Sequence, residues 1–222
     1  MNQLPTPLTP FARYDQFILW RMINGRKIPF SARTLKPASS TDPATWVGAD
    51  EALAIAASLP EYNVGFVFTA NDPFWFVDID HCRSGAEWSA LANEILTALP
   101  GAAVELSQSG EGLHIYGSGP VPEHARKNTA LSIELYTKER FVALTGNCSA
   151  GGSADTQLST QIASVAAKYF PPRTASDGRP SGHPPARQGY RLWGRAEIRI
   201  YRKPARGRRR KDILPCMRRD PY

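Results

Sequence analysis

The chain has 222 residues and a formal net charge of +7, enough for one sizeable domain and a tail. No run approaches the roughly 18 apolar residues of a membrane span, and no basic-then-apolar leader begins the chain. The three cysteines, Cys82, Cys148 and Cys216, lie far apart without C-x-x-C spacing. Neither a disulfide framework nor a zinc cage is therefore predicted, and these features favour a cytoplasmic protein with no membrane partner.

The positive charge is concentrated at the C-terminal end of the chain. Residues 173–222 contain 15 Lys and Arg against 4 Asp and Glu, whereas residues 1–172 contain the remaining 12 against 16. The 173–222 segment is rich in Arg, Gly and Pro and lacks a sustained apolar period, so we predict a disordered basic tail. Two interpretations of this tail stay open. It binds nucleic acid through phosphates, or it is the remnant of a truncated or out-of-frame longer protein.

The first 80 residues predict a short arm followed by mixed helices and strands. Residues 1–12 contain three prolines and little periodicity, which indicates a flexible arm. Local patterns then predict, in chain order, a buried strand or short helix over 14–23, a helix start capped by Thr41 or Asp42 with Pro43 at its first position, a helix over 50–59, and strands over 63–69 and 74–80. The turn at 71–73 predicts that the last two strands pair as a hairpin.

The chain beyond residue 80 continues the same alternation. Ser84 and Glu87 match a capping box, and the apolar spacing from Trp88 to Leu99 predicts an amphipathic helix that ends at Pro100. The remaining predicted elements are strands over 103–106, 113–116, 131–136 and 141–145 and a final helix over 156–169. Helices that alternate with short strands able to pair in antiparallel fashion predict an α+β fold.

Two carboxylates at the end of the 74–80 strand are the first candidates for chemistry. Successive side chains of a strand alternate between faces, so Asp78 and Asp80 project from the same face, roughly 7 Å apart. Neighbouring acids repel each other, and a divalent cation, which prefers carboxylate oxygens, removes that repulsion. From this stretch alone, metal binding and a simple polar strand end are equally good interpretations.

Two further segments supply complementary groups. The stretch from Ser107 to His114 (SQSGEGLH) offers hydroxyls and unhindered backbone N–H groups suited to a phosphate-binding turn, and His114 can donate to a phosphate oxygen. Glu134 faces away from its apolar neighbours Ile133 and Leu135, so it need not lie in the core. Three carboxylates and a phosphate-binding loop suffice for two-metal nucleotidyl transfer. One metal lowers the pKa of an attacking hydroxyl, and the other neutralises the leaving pyrophosphate.

Taken in order, these segments resemble a known family. Asp-Ile-Asp at 78–80, Gly-Leu-His at 112–114 and Ile-Glu-Leu at 133–135 are similar to the three motifs of the archaeo-eukaryotic primase superfamily. The resemblance is closer to the bifunctional primase–polymerase (PrimPol) N-terminal domains of phages and plasmids. Flanking stretches at 25–30, 38–46, 65–68 and 140–146 are also similar, and the likeness covers about residues 14–170.

The resemblance implies a fold and an activity. The fold would be an RRM-like antiparallel sheet with helices packed behind it, next to a small N-terminal α/β unit. Residues 13–172 would then form a catalytic domain between the arm at 1–12 and the tail at 173–222. The activity would be that of a DNA primase/polymerase, a nucleotidyltransferase that uses Mg²⁺ or Mn²⁺ at a two-metal site in phage or plasmid replication.

The same resemblance implies the partners. They would be a DNA template, a primer and nucleoside triphosphates, in the cytoplasm of a bacterial host or phage-infected cell. Relatives commonly continue into a helical region and a helicase domain, which implies a replicative helicase as a further partner.

Carried over by position, the resemblance assigns roles to eight residues. The metal ligands would be Asp78, Asp80 and Glu134, and with His114 they would be the catalytic residues. The nucleotide-binding residues would be Ser107, Ser109, His114, Lys138 and Arg140. Relatives often have aspartate in place of Glu134, so the ligand arm of this chain is one methylene longer.

Two other functions remain open at this stage. The first is a catalytically degenerate nucleic-acid-binding replication module, which the acidic body and basic tail favour. The second is a metal nuclease that uses the same carboxylates. It is disfavoured because no histidine pair or nucleophilic tyrosine is arranged as a replication-initiator nuclease would need.

Overall fold

Two antiparallel sheets organise the part of the chain that the computed structural model describes, residues 1, 3–85 and 87–172. These residues belong to a unit that spans Met1–Arg179. The predicted tail at 173–222, with Cys216, lies outside the described residues.

The elements of the described part follow the chain as an α+β arrangement. The strands are β1 (Phe17–Ile23), β2 (Arg26–Phe30), β3 (Asn63–Phe68), β4 (Phe74–Ile79), β5 (Arg83–Ser84), β6 (Glu87–Trp88), β7 (Ala103–Leu106), β8 (Leu113–Ser118), β9 (Lys127–Asn128), β10 (Ile133–Tyr136) and β11 (Arg140–Ala143). The helices are α1 (Ala49–Ser58), α2 (Ala90–Ala98) and α3 (Ser159–Tyr169), with 3₁₀ helices at Thr6–Arg13 and Pro43–Thr45. Asp42 caps the second 3₁₀ helix by accepting from the backbone N–H of Ala44 at 3.0 Å, as its position before Pro43 predicts.

The strands form a four-stranded sheet, a five-stranded sheet and a short ribbon. The first sheet has the order β11-β3-β1-β2, and the second has the order β7-β8-β4-β10-β9. β5 pairs with β6 as a separate two-stranded ribbon. Every pairing between named strands is antiparallel.

The second sheet is covered on both faces, which explains the almost continuous burial of β4. One face, with Trp75 and Val77, packs against α2 and α3. The other face, with Phe74, Phe76 and Tyr116, packs against the first sheet and the N-terminal 3₁₀ helix. The predicted α+β fold, with helices behind an antiparallel sheet, is confirmed.

The predicted flexible arm is wrong for most of its length. Residues Thr6–Arg13 form a 3₁₀ helix in which Leu8 and Phe11 are fully buried. The Phe11 ring stacks on Phe66 with centroids 4.3 Å apart and meets Phe74 edge-on at 4.9 Å. Leu8 and Phe11 are three residues apart, and this spacing places both side chains on one face of a 3₁₀ helix, toward the core.

The predicted hairpin between the 63–69 and 74–80 strands is also wrong. β3 pairs with β1 and β11, whereas β4 pairs with β8 and β10 in the other sheet. The turn between them carries the chain from one sheet to the other. Asp72 holds that turn by accepting from the backbone N–H groups of Thr69 at 2.7 Å and Phe74 at 3.0 Å.

The predicted capping box at Ser84 is wrong as well. Ser84 and Glu87 are paired residues of the β5–β6 ribbon. The helix begins at Ala90, and its cap is Ser89, whose hydroxyl accepts from the backbone N–H of Ala92 at 3.2 Å. Both serines precede the same apolar run, and the one adjacent to it forms the cap.

Candidate active site

A row of polar side chains crosses the second sheet on the face that looks toward the first sheet. Directly opposed residues in the strand register link Glu105 to His114, His114 to Asp78, Asp78 to Glu134, and Glu134 to Lys127. Opposed residues on neighbouring antiparallel strands point to the same face, with Cβ atoms roughly 5 Å apart. The sheet register therefore brings together three of the predicted site residues, Asp78, His114 and Glu134.

Asp78 lies at the centre of this row, in an environment poor in donors. Its side chain is 17% exposed, and its Oδ1 is buried with no hydrogen-bond partner among the described residues. Burial raises the pKa of this carboxyl above its usual range, and the carboxylates of Asp80 and Glu134 raise it further. The charges of His114 and Lys27 act in the opposite direction but do not cancel the effect. A cation beside Asp78 would relieve both the missing contact and the repulsion.

Asp80 lies just past the end of β4, exposed to solvent. Its backbone N–H donates to the carbonyl of Ser132 at 3.0 Å, which fixes the strand end against the start of β10. The next residue, His81, has φ of 49°, so the chain turns sharply after the second acid. His81 contacts Glu111 at 3.3 Å across the strand ends.

His114 is 3% exposed and lies between two carboxylates. Its Nε2 is 3.8 Å from Oδ1 of Asp78, and its Nδ1 is 3.2 Å from Oε2 of Glu105. The ring meets Phe76 edge-on at 5.5 Å, which restricts its rotation. Nε2 thus faces Asp78, and Nδ1 faces the buried Glu105.

Glu134 is engaged by two basic side chains. Lys127 donates to its Oε1, and Arg140 lies 3.3 Å from its Oε2. Burial alone would raise the pKa of Glu134, but hydrogen bonds from Lys127 and Tyr136 and the charge of Arg140 hold it below its usual range. Arg140 reaches this acid from the first sheet and lies over the Tyr136 ring at 4.8 Å.

Ser107 and Ser109 belong to the loop that joins β7 to β8. Their hydroxyls lie 3.1 Å apart and also accept from the loop's own backbone, Ser107 from Gly112 at 3.0 Å and Ser109 from Glu111 at 3.3 Å. A Cβ at Gly112 would lie 2.8 Å from the carbonyl oxygen of Ile79, so only glycine lets the loop pass this close to β4. The loop therefore lies beside the end of β4 from which Asp80 projects.

The same loop lines a cavity of about 590 Å³. Residues from both sheets surround it, including Trp20 of β1 and Leu106 of β7. Asp78, Asp80 and Glu134 lie outside this lining.

Lys138 is the predicted site residue that the structure does not bring to the acids. It is exposed in the connection between β10 and β11. Tyr136 pairs with Phe76, and Lys138 lies beyond this pair, toward the end of the sheet opposite Asp80. Of the two basic residues assigned to this connection, only Arg140 contacts the row.

Sequence reasoning missed Glu105, the buried end of the row. It is fully buried in β7 and is opposed to His114. A prediction that the 103–106 and 113–116 strands form a hairpin around the Ser107–Gly112 loop would have placed residue 105 opposite His114. Without that strand pairing, a single glutamate in a short strand does not indicate a functional residue.

The residues present fit a hard cation only in part. The orphaned Oδ1 of Asp78 and the exposed carboxylate of Asp80 are the donors that Mg²⁺ or Mn²⁺ prefers. Glu134, by contrast, is already paired with Lys127 and Arg140. Accordingly, the part of the chain that the structure describes holds no cluster of three or more His, Cys, Asp or Glu side chains in metal-binding proximity.

Comparison with known proteins finds a phage relative of this chain. The chain is 35% identical over 144 residues to a DNA primase-polymerase of Nitratiruptor phage NrS-1. The match covers 61% of this chain and 20% of the phage protein, so the chain corresponds to about a fifth of the length of its relative. None of the known protein-family profiles matches the chain. Within residues 1, 3–85 and 87–172, no helix is long and apolar enough to cross a membrane.

Proposed function

We propose that the chain is a DNA primase/polymerase domain of the PrimPol type, which carries out template-directed nucleotidyl transfer in phage or plasmid replication. The observation that carries the proposal is the row Asp78, His114 and Glu134, with an unpartnered carboxylate oxygen at its centre. The 35% identity to a phage primase-polymerase supports the same reaction class. The proposed partners are a DNA template, a primer and nucleoside triphosphates, in a bacterial or phage-infected cytoplasm.

The proposed cofactor is Mg²⁺ or Mn²⁺. Asp78 and Asp80 would hold it, and Glu134 would join them once Lys127 is drawn away by an incoming triphosphate. The metal would supply a lowered pKa for the attacking 3′-hydroxyl and charge neutralisation for the leaving pyrophosphate. The raised pKa of Asp78 fits this role, since a bound cation would offset the burial and the neighbouring carboxylates that disfavour its ionised form.

The remaining residues would bind the nucleotide. Nε2 of His114 lies 3.8 Å from Asp78 and would contact a phosphate held there. Ser107 and Ser109 would contribute the hydroxyls of the loop beside the end of β4, and Arg140 adds a positive charge next to Glu134. We assign Lys138 no direct contact with the reacting phosphates, because it lies toward the opposite end of the sheet.

A specific observation favours a second candidate, the catalytically degenerate nucleic-acid-binding module. The pairing of Glu134 with Lys127 and Arg140 would be permanent in such a protein, and the third metal ligand would never be released. A replicative helicase remains a proposed partner under either function. The chain corresponds to only 20% of its relative's length.

Primer extension on a single-stranded DNA template, with Mg²⁺ or Mn²⁺, tests the proposal. We expect the wild-type chain to extend the primer, and Asp78→Asn/Asp80→Asn to lose at least a hundredfold in rate, because the metal's main ligands are lost. The charge-matched control is Asp50→Asn/Glu51→Gln. These acids lie in the first turn of α1, away from the row, and the control should extend the primer at the wild-type rate.

Each result separates the candidates. No incorporation by the wild-type chain with either metal, together with template binding that persists without metal, would identify the degenerate module. Extension that survives in Asp78→Asn/Asp80→Asn would remove these acids from the active site.

A further inference from the structure

Lys127 is a member of the polar row that was not predicted from the sequence. It lies in β9, the last strand of the second sheet, and is directly opposed to Glu134 of β10. Its ammonium donates to Oε1 of Glu134, and its side chain is 50% exposed, compared with 17% for that of Glu134. The ion pair therefore joins a half-exposed cation at the edge of the sheet to a mostly buried acid beside Asp78.

The ion pairs of Glu134 oppose the binding of a divalent cation. Lys127 contacts one carboxylate oxygen, and Arg140 lies 3.3 Å from the other. Glu134 and these two partners together carry a net charge of +1, which repels a metal ion. Asp78, the opposed acid on β4, has a buried Oδ1 without a hydrogen-bond partner among the described residues. Glu134 can therefore bind a metal beside Asp78 only after it loses one of its cations.

Lys127 is the cation that can leave more easily. The Arg140 guanidinium lies 4.8 Å from the centroid of the Tyr136 ring, and this stacking restrains a planar group. Lys127 carries a compact charge on a flexible stem, and its strand has only two residues. A half-exposed ammonium also loses little when it leaves a carboxylate, because water replaces the contact. Displacement of Lys127 leaves Glu134 with Arg140 alone, a pair of zero net charge.

We infer that Lys127 neutralises Glu134 until a nucleoside triphosphate binds, and that its ammonium then moves to the phosphates and frees Glu134 for the metal. The inference rests on the proposed function and adds Lys127 to the residues that contact the nucleotide. Phosphate oxygens accept strong charge-assisted hydrogen bonds, and a triphosphate carries more negative charge than one carboxylate. Through Lys127, triphosphate and metal should therefore bind with positive coupling, each raising the affinity for the other.

Three substitutions in the full chain isolate this exchange. Lys127→Gln removes the ammonium and keeps a long polar side chain. Lys168→Gln is the charge-matched control, since Lys168 of α3 pairs with Glu94 of α2, on the helices that cover the opposite face of the sheet. Glu134→Gln removes the acid, and Lys127→Gln in that background tests whether Lys127 acts through Glu134.

Two equilibrium titrations are needed, Mn²⁺ alone, followed by electron paramagnetic resonance of the free ion, and dATP in EDTA, followed by calorimetry. We expect Lys127→Gln to bind Mn²⁺ about fivefold more tightly than the wild type, because Glu134 loses a competing cation. The same variant should bind dATP about fivefold more weakly, because a cation that contacts the phosphates is lost. Lys168→Gln should match the wild type in both titrations.

Opposite shifts of the two affinities distinguish this exchange from a structural defect, which would weaken both. In the Glu134→Gln background, Lys127→Gln should change the Mn²⁺ affinity by less than about twofold. A full increase in that background would overturn the inference, since Lys127 would then act only as a general positive charge. An unchanged or weaker Mn²⁺ affinity in Lys127→Gln, or an unchanged dATP affinity, also overturns it.

These titrations do not depend on catalysis. If the wild type incorporates no nucleotide, the proposed polymerase activity fails, yet opposite shifts in Lys127→Gln still support the exchange. If the wild type extends a primer but Lys127→Gln binds Mn²⁺ no more tightly, the inference fails and the proposed function stands.

Discussion

Asp78, which we propose as a metal ligand, occupies a strand position where its carboxylate does not stabilise the fold. Its strand position is one that a buried apolar side chain would fill, and Phe76 two residues earlier does so on the same face. The carboxylate there has an unpartnered oxygen and two neighbouring acids within reach of its charge. Such conflicts between local stability and residue type are expected at functional sites.

The pKa shift of Asp78 predicts that removing its charge stabilises the fold. Because burial raises the pKa in the folded state, the folded chain keeps this proton over a pH range in which the unfolded chain has lost it. Stability therefore falls as pH rises through that range. We expect Asp78→Asn to increase the free energy of unfolding by about 1 kcal/mol at pH 7, measured by denaturant unfolding. The gain should disappear below about pH 4, where the carboxyl is protonated in both states.

A matched variant controls this comparison. Asp80→Asn removes a similar charge from an exposed position and should change the free energy of unfolding by less than about 0.5 kcal/mol. The conclusion that the Asp78 carboxylate destabilises the fold would be wrong if Asp78→Asn destabilised the protein at pH 7. It would also be wrong if both variants were equally stabilising.

At the scale of elements, the positions of the strands could be predicted from the sequence, but the strands they pair with could not. The apolar residues of β3, β4 and β10 identify these segments as strands. However, β3 and β4 belong to different sheets, although only a short turn separates them. A strand that is buried on both faces has the same apolar sequence pattern whichever strands it pairs with. The order of the motifs did predict that Asp78, His114 and Glu134 come together, and the three are neighbours in the sheet. The contributions of Arg140, from the other sheet, and of Glu105 depend on register, which only the structure gives.

The N-terminal 3₁₀ helix should contribute strongly to the stability of the fold. Three prolines made this segment look like an arm, whereas Phe11 inserts its ring among Phe66, Phe68, Phe74 and Tyr116, between the two sheets. We expect Phe11→Ala to lower the free energy of unfolding by about 3–5 kcal/mol, since it empties a fully buried aromatic position. Denaturant unfolding followed by circular dichroism measures this loss.

The control for Phe11→Ala lies on the same helix. Thr9 is exposed and contributes one local hydrogen bond, to the carbonyl of Thr6 at 2.9 Å. Thr9→Ala should therefore change the free energy of unfolding by no more than about 0.5 kcal/mol. Equal, small effects of the two variants would mean that the helix is dispensable and that the segment behaves as an arm after all.

At the scale of the whole molecule, charge is distributed unevenly even within the acidic body. Residues 16–41 contain five of the 12 basic residues of 1–172 and no Asp or Glu. They include the exposed tip of the β1–β2 hairpin, where Asn24 and Gly25 turn the chain with φ of 50° and 73°. Lys27 of this hairpin is close enough to lower the pKa of Asp78. A positive surface thus adjoins the acid row, and under the proposed function we expect it to contact the template strand.

This arrangement predicts how the salt dependence of DNA binding responds to charge removal. Each phosphate contact contributes about 0.7 to the slope of log association constant against log salt for single-stranded DNA. Arg26→Gln/Lys27→Gln in the full chain removes two such contacts and should therefore reduce the slope by roughly 1.4, measured by fluorescence anisotropy. The charge-matched control, Arg13→Gln/Lys168→Gln, removes cations already paired with Asp155 and Glu94 and should leave the slope unchanged. Equal reductions in both variants would show that DNA responds only to net charge, and the hairpin would then have no special role in binding the template.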